Sequence, residues 1–291
     1  MQLLDMALLQ TLFRELACRR GFERIPERDL AMINDEAVNG FTAAGEAEGS
    51  MAGFYLYHLS HICEVILPAD TVLDMACGPA TLLSQVATLN PNIRFIGADL
   101  SEQMLAKGRD AIQRQRLGNV ELRVEDMTKL ETIGDKSVDA VISTVAFHHL
   151  PDEESLEKTF ETISRVLRPR GGVYLCDFGR LKSPQSVEYF VRRATWTASH
   201  ALAQDYERSL RAAFSKAQIA TAAKRNLDEG IRVCSTPISP FLVVIKSPNR
   251  RSIDHLKPLL RERARKLPLP AQKDLRQMKF FLRLGGLRNV I

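Results

Sequence analysis

The sequence predicts an α/β fold: a doubly wound, mostly parallel sheet with helices on both faces, a helical cap before it and a basic extension after it. Two observations carry this expectation. From Thr71 onward, short apolar runs alternate with segments whose apolar residues recur three or four apart. That is the pattern of strand–helix–strand units joined by right-handed crossovers. The first run, VLDMACGPAT (Val72–Thr81), ends at an acid and turns through a glycine, as a strand does when it feeds a ligand-binding turn.

Residues 1–68 read as the cap. Leu4, Leu8, Leu9, Leu12, Phe13 and Leu16 recur at helical spacing. FTAAGEAEGS (41–50) reads as a small-residue hinge, and MAGFYLYHLSHICEVIL as a further helix ended by Pro68. Residues 69–249 hold the sheet. TVLDMAC, RFIGADL, VELRVEDM, VDAVISTVAF and GGVYLCDF are its first five strands. ATLLSQVATLN, SEQMLAKGRDAIQRQRLG and EESLEKTFETISRVLRPR are the helical segments between them. After Phe178, SPQSVEYFVRRATWTASHALAQ and DYERSLRAAFSKAQIATAAKRNL read as two long helices. GIRVCST and FLVVIKS bring the count to seven strands, and the prolines of PISP suit a loop between antiparallel partners. Residues 250–291 are the extension.

Composition narrows the class. The chain has 291 residues, 45% hydrophobic and 26% charged, as expected of a soluble globular protein. No stretch approaches the ~18 uncharged apolar residues of a membrane-spanning helix. MQLLDMALLQTLFRELACRR carries Asp5, Arg14 and Glu15 inside its apolar pattern, which argues for an amphipathic helix of a cytoplasmic protein rather than a signal peptide. Cys18, Cys63, Cys77, Cys176 and Cys234 are scattered and never form a C-x-x-C pair, which points to reduced thiols and to no metal. The net charge of +5 is unevenly placed. Residues 250–291 hold 12 Lys and Arg against 3 acids, leaving 28 bases against 32 acids in the body. A nucleic-acid footprint over the whole surface is therefore not expected.

The first turn selects the ligand. Its helix is expected to start near Pro79, a residue suited to the first helical position, and Gly78 permits a tight turn and close ligand approach. Asp74 is the informative residue. A dinucleotide would set its pyrophosphate against this helix N-terminus, where a strand-end carboxylate opposes it. A ligand bearing an ammonium or a sulfonium is attracted instead, and the third glycine of G-x-G-x-x-G is missing. S-adenosylmethionine is such a ligand. Asp99, 21 residues beyond Gly78, ends the second strand, where a carboxylate accepts ribose hydroxyls. Asp126 ends the third, where it can accept from an adenine amino group. Each acid alone also suits a helix cap; three at successive strand ends favour a ligand crevice.

With these residues placed, the chain resembles the class I S-adenosylmethionine-dependent methyltransferases, closely over about residues 55–180. VLDMACGPAT resembles the family's first motif and IGADLSEQMLAKGR the second. VEDM and DAVISTVAFHHLPD resemble the third and fourth, and RVLRPRGGVYLCDF the fifth. The resemblance implies a Rossmann-like fold, with Asp74, Ala76, Cys77 and Gly78 bordering the methionine part of the cofactor. It puts Asp99 on the ribose, Leu100 and Met104 near the adenine, Asp126 and Met127 flanking the adenine, and Thr144 beside the cofactor. Ala76 and Ala80 depart from the usual glycines; alanine at 76 fits if its φ is negative.

A sulfonium methyl is already electrophilic, so catalysis rests on holding a nucleophile in line in a dry site. A general base is needed only for an acceptor that arrives protonated. His148 and His149, in AFHHLP just past the fourth strand, are the candidates, or they pack and cap the next helix. Asp177, at the end of the fifth strand, faces the crevice or pairs with Arg180. Tyr55 and Tyr57 are read as a lid over the sulfonium or as interface filling, with Tyr57 expected to bind cofactor. Tyr206 and Trp196 are read as acceptor-pocket walls or core.

The extension mixes bases with apolar residues. It is read as a solvated face, as an arm packing on the body or on a second subunit because Phe280, Phe281, Leu282 and Leu284 need burial, or as a membrane helix or nucleic-acid clamp. The leading functional expectation is methyl transfer to a small molecule. The alternatives are an RNA methyltransferase gripping through the basic tail, and a binding protein that keeps the cofactor pocket without turnover.

Overall fold

Residues 5–19, 21–27, 35–46, 48–194 and 200–291 are described by the computed structural model. Their strands are β1 (Thr71–Met75), β2 (Arg94–Asp99), β3 (Val120–Val124), β4 (Val138–Thr144), β5 (Leu167–Phe178), β6 (Arg232–Ser235) and β7 (Leu242–Lys246). They form one seven-stranded sheet in the order β3-β2-β1-β4-β5-β7-β6. Pairing is parallel except where β7 runs antiparallel to β5 and β6. The order in which strands are added reverses between the parallel neighbours β1 and β4, so the crevice beyond their carboxyl ends is the switch point where such sheets take ligands. Register brings the strand ends together there: Met75 pairs with Ala98, and Asp99 with Val124.

The inner stretches of β1, β2, β4, β5 and β7 are largely apolar because both faces are covered, whereas the edge strand β3 carries Glu121 and Arg123. Val72, Phe95, Ile142 and Tyr174 face one core with Leu59, Ile62 and Leu83. Leu73, Ile96, Val141 and Val173 face the other with Phe147, Phe160 and Phe214. The covering helices in chain order are α1 (Met6–Ala17), α2 (Asp35–Gly45), α3 (Ala52–Val65), α4 (Thr81–Leu89), α5 (Glu102–Gln115), α6 (Glu153–Val166), α7 (Pro184–Ala194), α8 (His200–Ala212), α9 (Lys216–Asn226), α10 (Lys257–Lys266) and α11 (Leu269–Leu284). Side chains cap several of them. Ser101 accepts from the Met104 N–H at the start of α5, and Asp152 from the Ser155 N–H at the start of α6.

Four local expectations change. The expected hinge is half helix, since residues 41–45 continue α2. The helix after the first turn starts at Thr81 rather than near Pro79, because Ala80 at φ 54° is left-handed and cannot be helical. The fourth strand ends at Thr144, since Val145 sits at φ 60° and breaks the ladder. The two long helices after Phe178 are three: α8 runs across the expected boundary and stops at Ala212, and Ser215 with Gln218 builds a capping box that starts α9. Leu4 and Trp196 lie outside the described residues.

The basic extension is an arm on its own chain. α10 and α11 pack against α3, and Leu260, Leu275 and Leu282 join the core on that face. A Cβ on Gly53 would lie 2.5 Å from the Ala271 carbonyl oxygen, so glycine is what lets α3 and α11 approach. Arg250 pairs with Asp70, and Arg251 donates to the Cys63 carbonyl at 2.7 Å. Of the apolar residues that needed cover, Leu282 is buried and Phe281 reaches an internal cavity, while Phe280 and Leu284 stay exposed. No described helix is long and apolar enough to cross a membrane.

Candidate active site

A cavity of about 490 Å³ opens at the switch point, roofed by helices from both ends of the chain. Its floor is the turn after β1. Three residues of that turn are left-handed, Ala76 at φ 55°, Gly78 at 54° and Ala80 at 54°. The expectation of a negative φ at Ala76 is therefore corrected: alanine is held where glycine is unstrained, against a preference of about 1–2 kcal/mol. The surrounding hydrogen bonds impose it. Cys77 N–H donates to the Ala98 carbonyl at 2.9 Å, and Gly78 N–H to Oδ2 of Asp99 at 2.8 Å. Oδ1 of Asp99 accepts from Ser101 N–H at 2.8 Å, so this one carboxylate ties the first turn to the second.

Asp74, Ala76, Cys77, Gly78, Asp99, Leu100, Met104, Asp126, Met127 and Thr144 all line this cavity, as do His148 and His149. Tyr57 does not. Its ring packs on His58 and His61, and its buried hydroxyl has no partner, while Tyr55 takes the cavity side. The expectation for Tyr57 is corrected by one helical offset: residues two apart on α3 face different ways.

Electrostatics distinguish the acids. Asp126 serves its own turn, accepting from the N–H and hydroxyl of Thr128 at 2.8 and 2.7 Å. Asp74 is different. It is only 4% exposed, and among the described residues no donor reaches its carboxylate. Burial and then the neighbouring charge of Asp99 push its pKa well above the usual aspartate value. Asp99 is also raised by burial, with its backbone donors pulling the other way. A cation placed beside this pair would offset both burial and mutual repulsion.

Another part of the cavity wall is built around the 3₁₀ turn Phe147–His149. Asp177 does not line the cavity and does not bond Arg180, which instead reaches Gln218. It lies beneath the turn. Its Oδ1 is 2.8 Å from Nδ1 of His148, and its Oδ2 accepts from the N–H groups of Ala146 and His148 at 3.0 and 3.2 Å. His149 Nδ1 is 2.5 Å from Oε2 of Glu27, whose Oε1 accepts from the Ser209 hydroxyl at 2.9 Å. Burial opposes a charge on His149. The hydrogen bond and charge of Glu27, with Asp177 and Asp205, outweigh burial and raise its pKa above 6.5. Glu27, His148 and His149 offer ligand atoms within 4.8 Å of one another, the one such trio among the described residues, but each already has a hydrogen-bond partner. Around them Phe178, Phe190, Tyr206 and Phe241 form an aromatic wall, Phe190 stacked on Phe241 with centroids 4.0 Å apart.

Sequence reasoning missed Glu27, Asp205, Ser209 and the aromatic wall apart from Tyr206. Glu27 sits in FERIPERDL, a stretch with no periodicity and no turn signature, so no local signal marks it.

Residues 72–171 match the family described as "Methyltransferase domain". A ubiquinone/menaquinone biosynthesis C-methyltransferase from Hydrogenovibrio crunogenus is 31% identical over 170 residues, 56% of this chain and 65% of that one. An arsenite methyltransferase from Halobacterium salinarum is 31% identical over 111 residues, 38% of this chain and 27% of that one. The match thus spans less than two thirds of either relative. The solved structure of a "putative S-adenosyl-L-methionine-dependent methyltransferase" from Methanococcus maripaludis shares the fold at TM-score 0.54 and 14% identity, over 78% of this chain and 100% of that one. Residues 72–171 are thus similar to the methyltransferase domain, they lie on a sheet of this order with an unpaired acid at its switch point, and the fold is the one that S-adenosylmethionine-dependent methyltransferases share.

Proposed function

We propose that the protein methylates a small, largely apolar molecule through an atom that must shed a proton. The observation that carries this reading is the buried, donor-free carboxylate of Asp74 in the same cavity as an imidazole pair backed by carboxylates.

S-adenosylmethionine, when bound, supplies a methyl group that its sulfonium already makes electrophilic. The residues of the chain do the rest. Asp74 holds the ammonium of the methionine part, with the backbone of Ala76, Cys77 and Gly78 beside it. Asp99 takes the ribose, its two oxygens each keeping lone pairs beyond the backbone N–H they accept. Leu100, Met104 and Met127 pack the adenine and Asp126 accepts from it, while Thr144 borders the cofactor at the end of β4. Tyr55, rather than Tyr57, closes over the sulfonium.

The acceptor lies against Phe178, Phe190, Tyr206 and Phe241, in a space that excludes water. Its departing proton goes to the imidazole pair: Asp177 holds the His148 ring with its other nitrogen free, and Glu27 orients His149. Relatives named for arsenite and for ubiquinone/menaquinone biosynthesis support a small acceptor over a polymer. So does the extension, which packs Arg250, Arg251, Leu260, Leu275 and Leu282 on the body.

The test is calorimetry with S-adenosylmethionine and with NAD, followed by a screen of metabolite extracts for transfer of labelled methyl. Tight binding of S-adenosylmethionine and a low-molecular-weight labelled product are expected. Label appearing only in RNA, or in nothing, would overturn the proposal.

A further inference from the structure

The residues that organise the acceptor end come from a segment nearly fifty residues before the matched domain. Residues 21–27 follow α1 and run between α8 and the Phe147–His149 turn, without regular structure of their own. Arg24 spans that gap. Its Nε donates to the carbonyl of Ala212, the last residue of α8, at 2.6 Å. Its Nη1 donates to the Pro151 carbonyl at 2.6 Å, and its Nη2 to the carbonyls of His148, at 3.1 Å, and Leu150. The guanidinium carbon lies 3.9 Å from the centre of the Phe214 ring. Ile25 N–H adds a bond to the Arg211 carbonyl at 3.1 Å. Three residues after Arg24, Glu27 reaches His149 at 2.5 Å and Ser209 at 2.9 Å.

These contacts follow one logic. A helix C-terminus and a 3₁₀ turn both leave carbonyls without partners, and both attract positive charge. A planar five-donor fork answers several of them at once, which an ammonium on a flexible stem cannot. The result fixes the backbone of the turn that carries His148 and His149, while Glu27 fixes the direction of the second ring.

We infer that Arg24 and Glu27 are positioning residues for methyl transfer: Arg24 locks the His148–His149 turn to the end of α8, and Glu27 sets the orientation and charge of His149. This rests on the reading of the histidine pair as the proton-accepting end of the site. The groups facing His149 are Glu27, Asp177 of β5, Asp205 of α8, Asp99 of β2 and the adjacent His148 ring, 4.2 Å away between centroids. All the carboxylates favour the charged ring, and Glu27 is the one that hydrogen-bonds it.

The experiment compares wild type with Arg24→Lys and Glu27→Gln in the full chain. It measures kcat, KM for each substrate, cofactor affinity, and histidine titration by NMR in the cofactor-free protein. A misplacement of about an ångström lowers rate about 100-fold, so Arg24→Lys is expected to lose about 10- to 100-fold in kcat with cofactor affinity unchanged. Glu27→Gln keeps the shape and removes the charge. His149 should then titrate at lower pH than in wild type, and the acid limb of the rate profile should move the same way. If Arg24→Lys does not fold, Glu27→Gln carries the test. The inference is overturned if the His149 titration is the same in Glu27→Gln as in wild type, or if Arg24→Lys folds and keeps wild-type kcat. The NMR arm needs no acceptor, so failure to find any methyl transfer would remove the functional reading while leaving this result to stand or fall separately.

Discussion

Nδ1 of His148 lies 2.8 Å from Oδ1 of Asp177, with both side chains 2% exposed. The carboxylate also accepts from three backbone N–H groups, those of Ala146, His148 and Phe178, so it is immobile as well as buried. An immobile acid holding one ring nitrogen leaves the other as the ring's remaining polar atom. Asp177→Asn keeps the volume and weakens this hold. We expect kcat to fall by about 10²- to 10⁴-fold, the range of a lost general base. Cofactor affinity should be unchanged, because Asp177 lies outside the cavity wall. Steady-state kinetics paired with calorimetry separates the two, and a parallel loss of cofactor affinity would place the pair on the wrong side of the site.

Asp74 should make cofactor binding depend on pH. Its folded carboxyl is raised above the usual 3.8, first by burial and then by the charge of Asp99. A raised acid penalises the folded, empty protein as pH climbs above 3.8, because the unfolded chain ionises freely while the native one resists. A bound ammonium removes that resistance. Binding should therefore release protons, and affinity should rise with pH from about 3.8 up to the raised folded value. Calorimetry in buffers of different ionisation enthalpy counts the protons. Asp74→Asn should abolish the release and weaken affinity by about 10- to 100-fold, from about 1.5–3 kcal/mol for a hydrogen bond to a charged group.

Tyr57 and Tyr55 should respond oppositely to the same chemical change. The Tyr57 hydroxyl is buried without a partner, which costs about 1–3 kcal/mol. Tyr57→Phe should raise stability by about 1 kcal/mol and leave cofactor affinity alone. Tyr55→Ala should weaken cofactor affinity, since Tyr55 lines the cavity. Denaturant midpoints and calorimetry on the two variants would expose a misassigned lid if Tyr57→Phe were the one to lose binding.

Ala76→Gly should stabilise the protein by about 1 kcal/mol, because the left-handed position at φ 55° penalises an alanine. An unchanged urea midpoint would mean that the methyl group's contacts compensate for the strain.

Much of this molecule is written in short stretches. The seven strands and the acids at three strand ends follow from apolar runs and turn residues, each decided within about ten positions. The AFHHLP segment stands out in the same way. What was misread locally was decided by backbone handedness. Pro79 reads as a helix start, yet Ala80 is left-handed because Cys77, Gly78 and Asp99 bind the turn to β2. No composition reports such a tether.

The sequence by itself determined a doubly wound sheet, acids at its strand ends that suit a cationic nucleoside, and a histidine pair past the fourth strand. Tertiary structure alone decided that Asp177 serves His148 rather than Arg180, that Tyr55 and not Tyr57 faces the cavity, and that Glu27 meets His149 across 122 residues. The reason is range. Periodicity and turn preference are properties of neighbours along the chain, whereas a hydrogen bond between distant segments exists only after packing has set their distance and exposure.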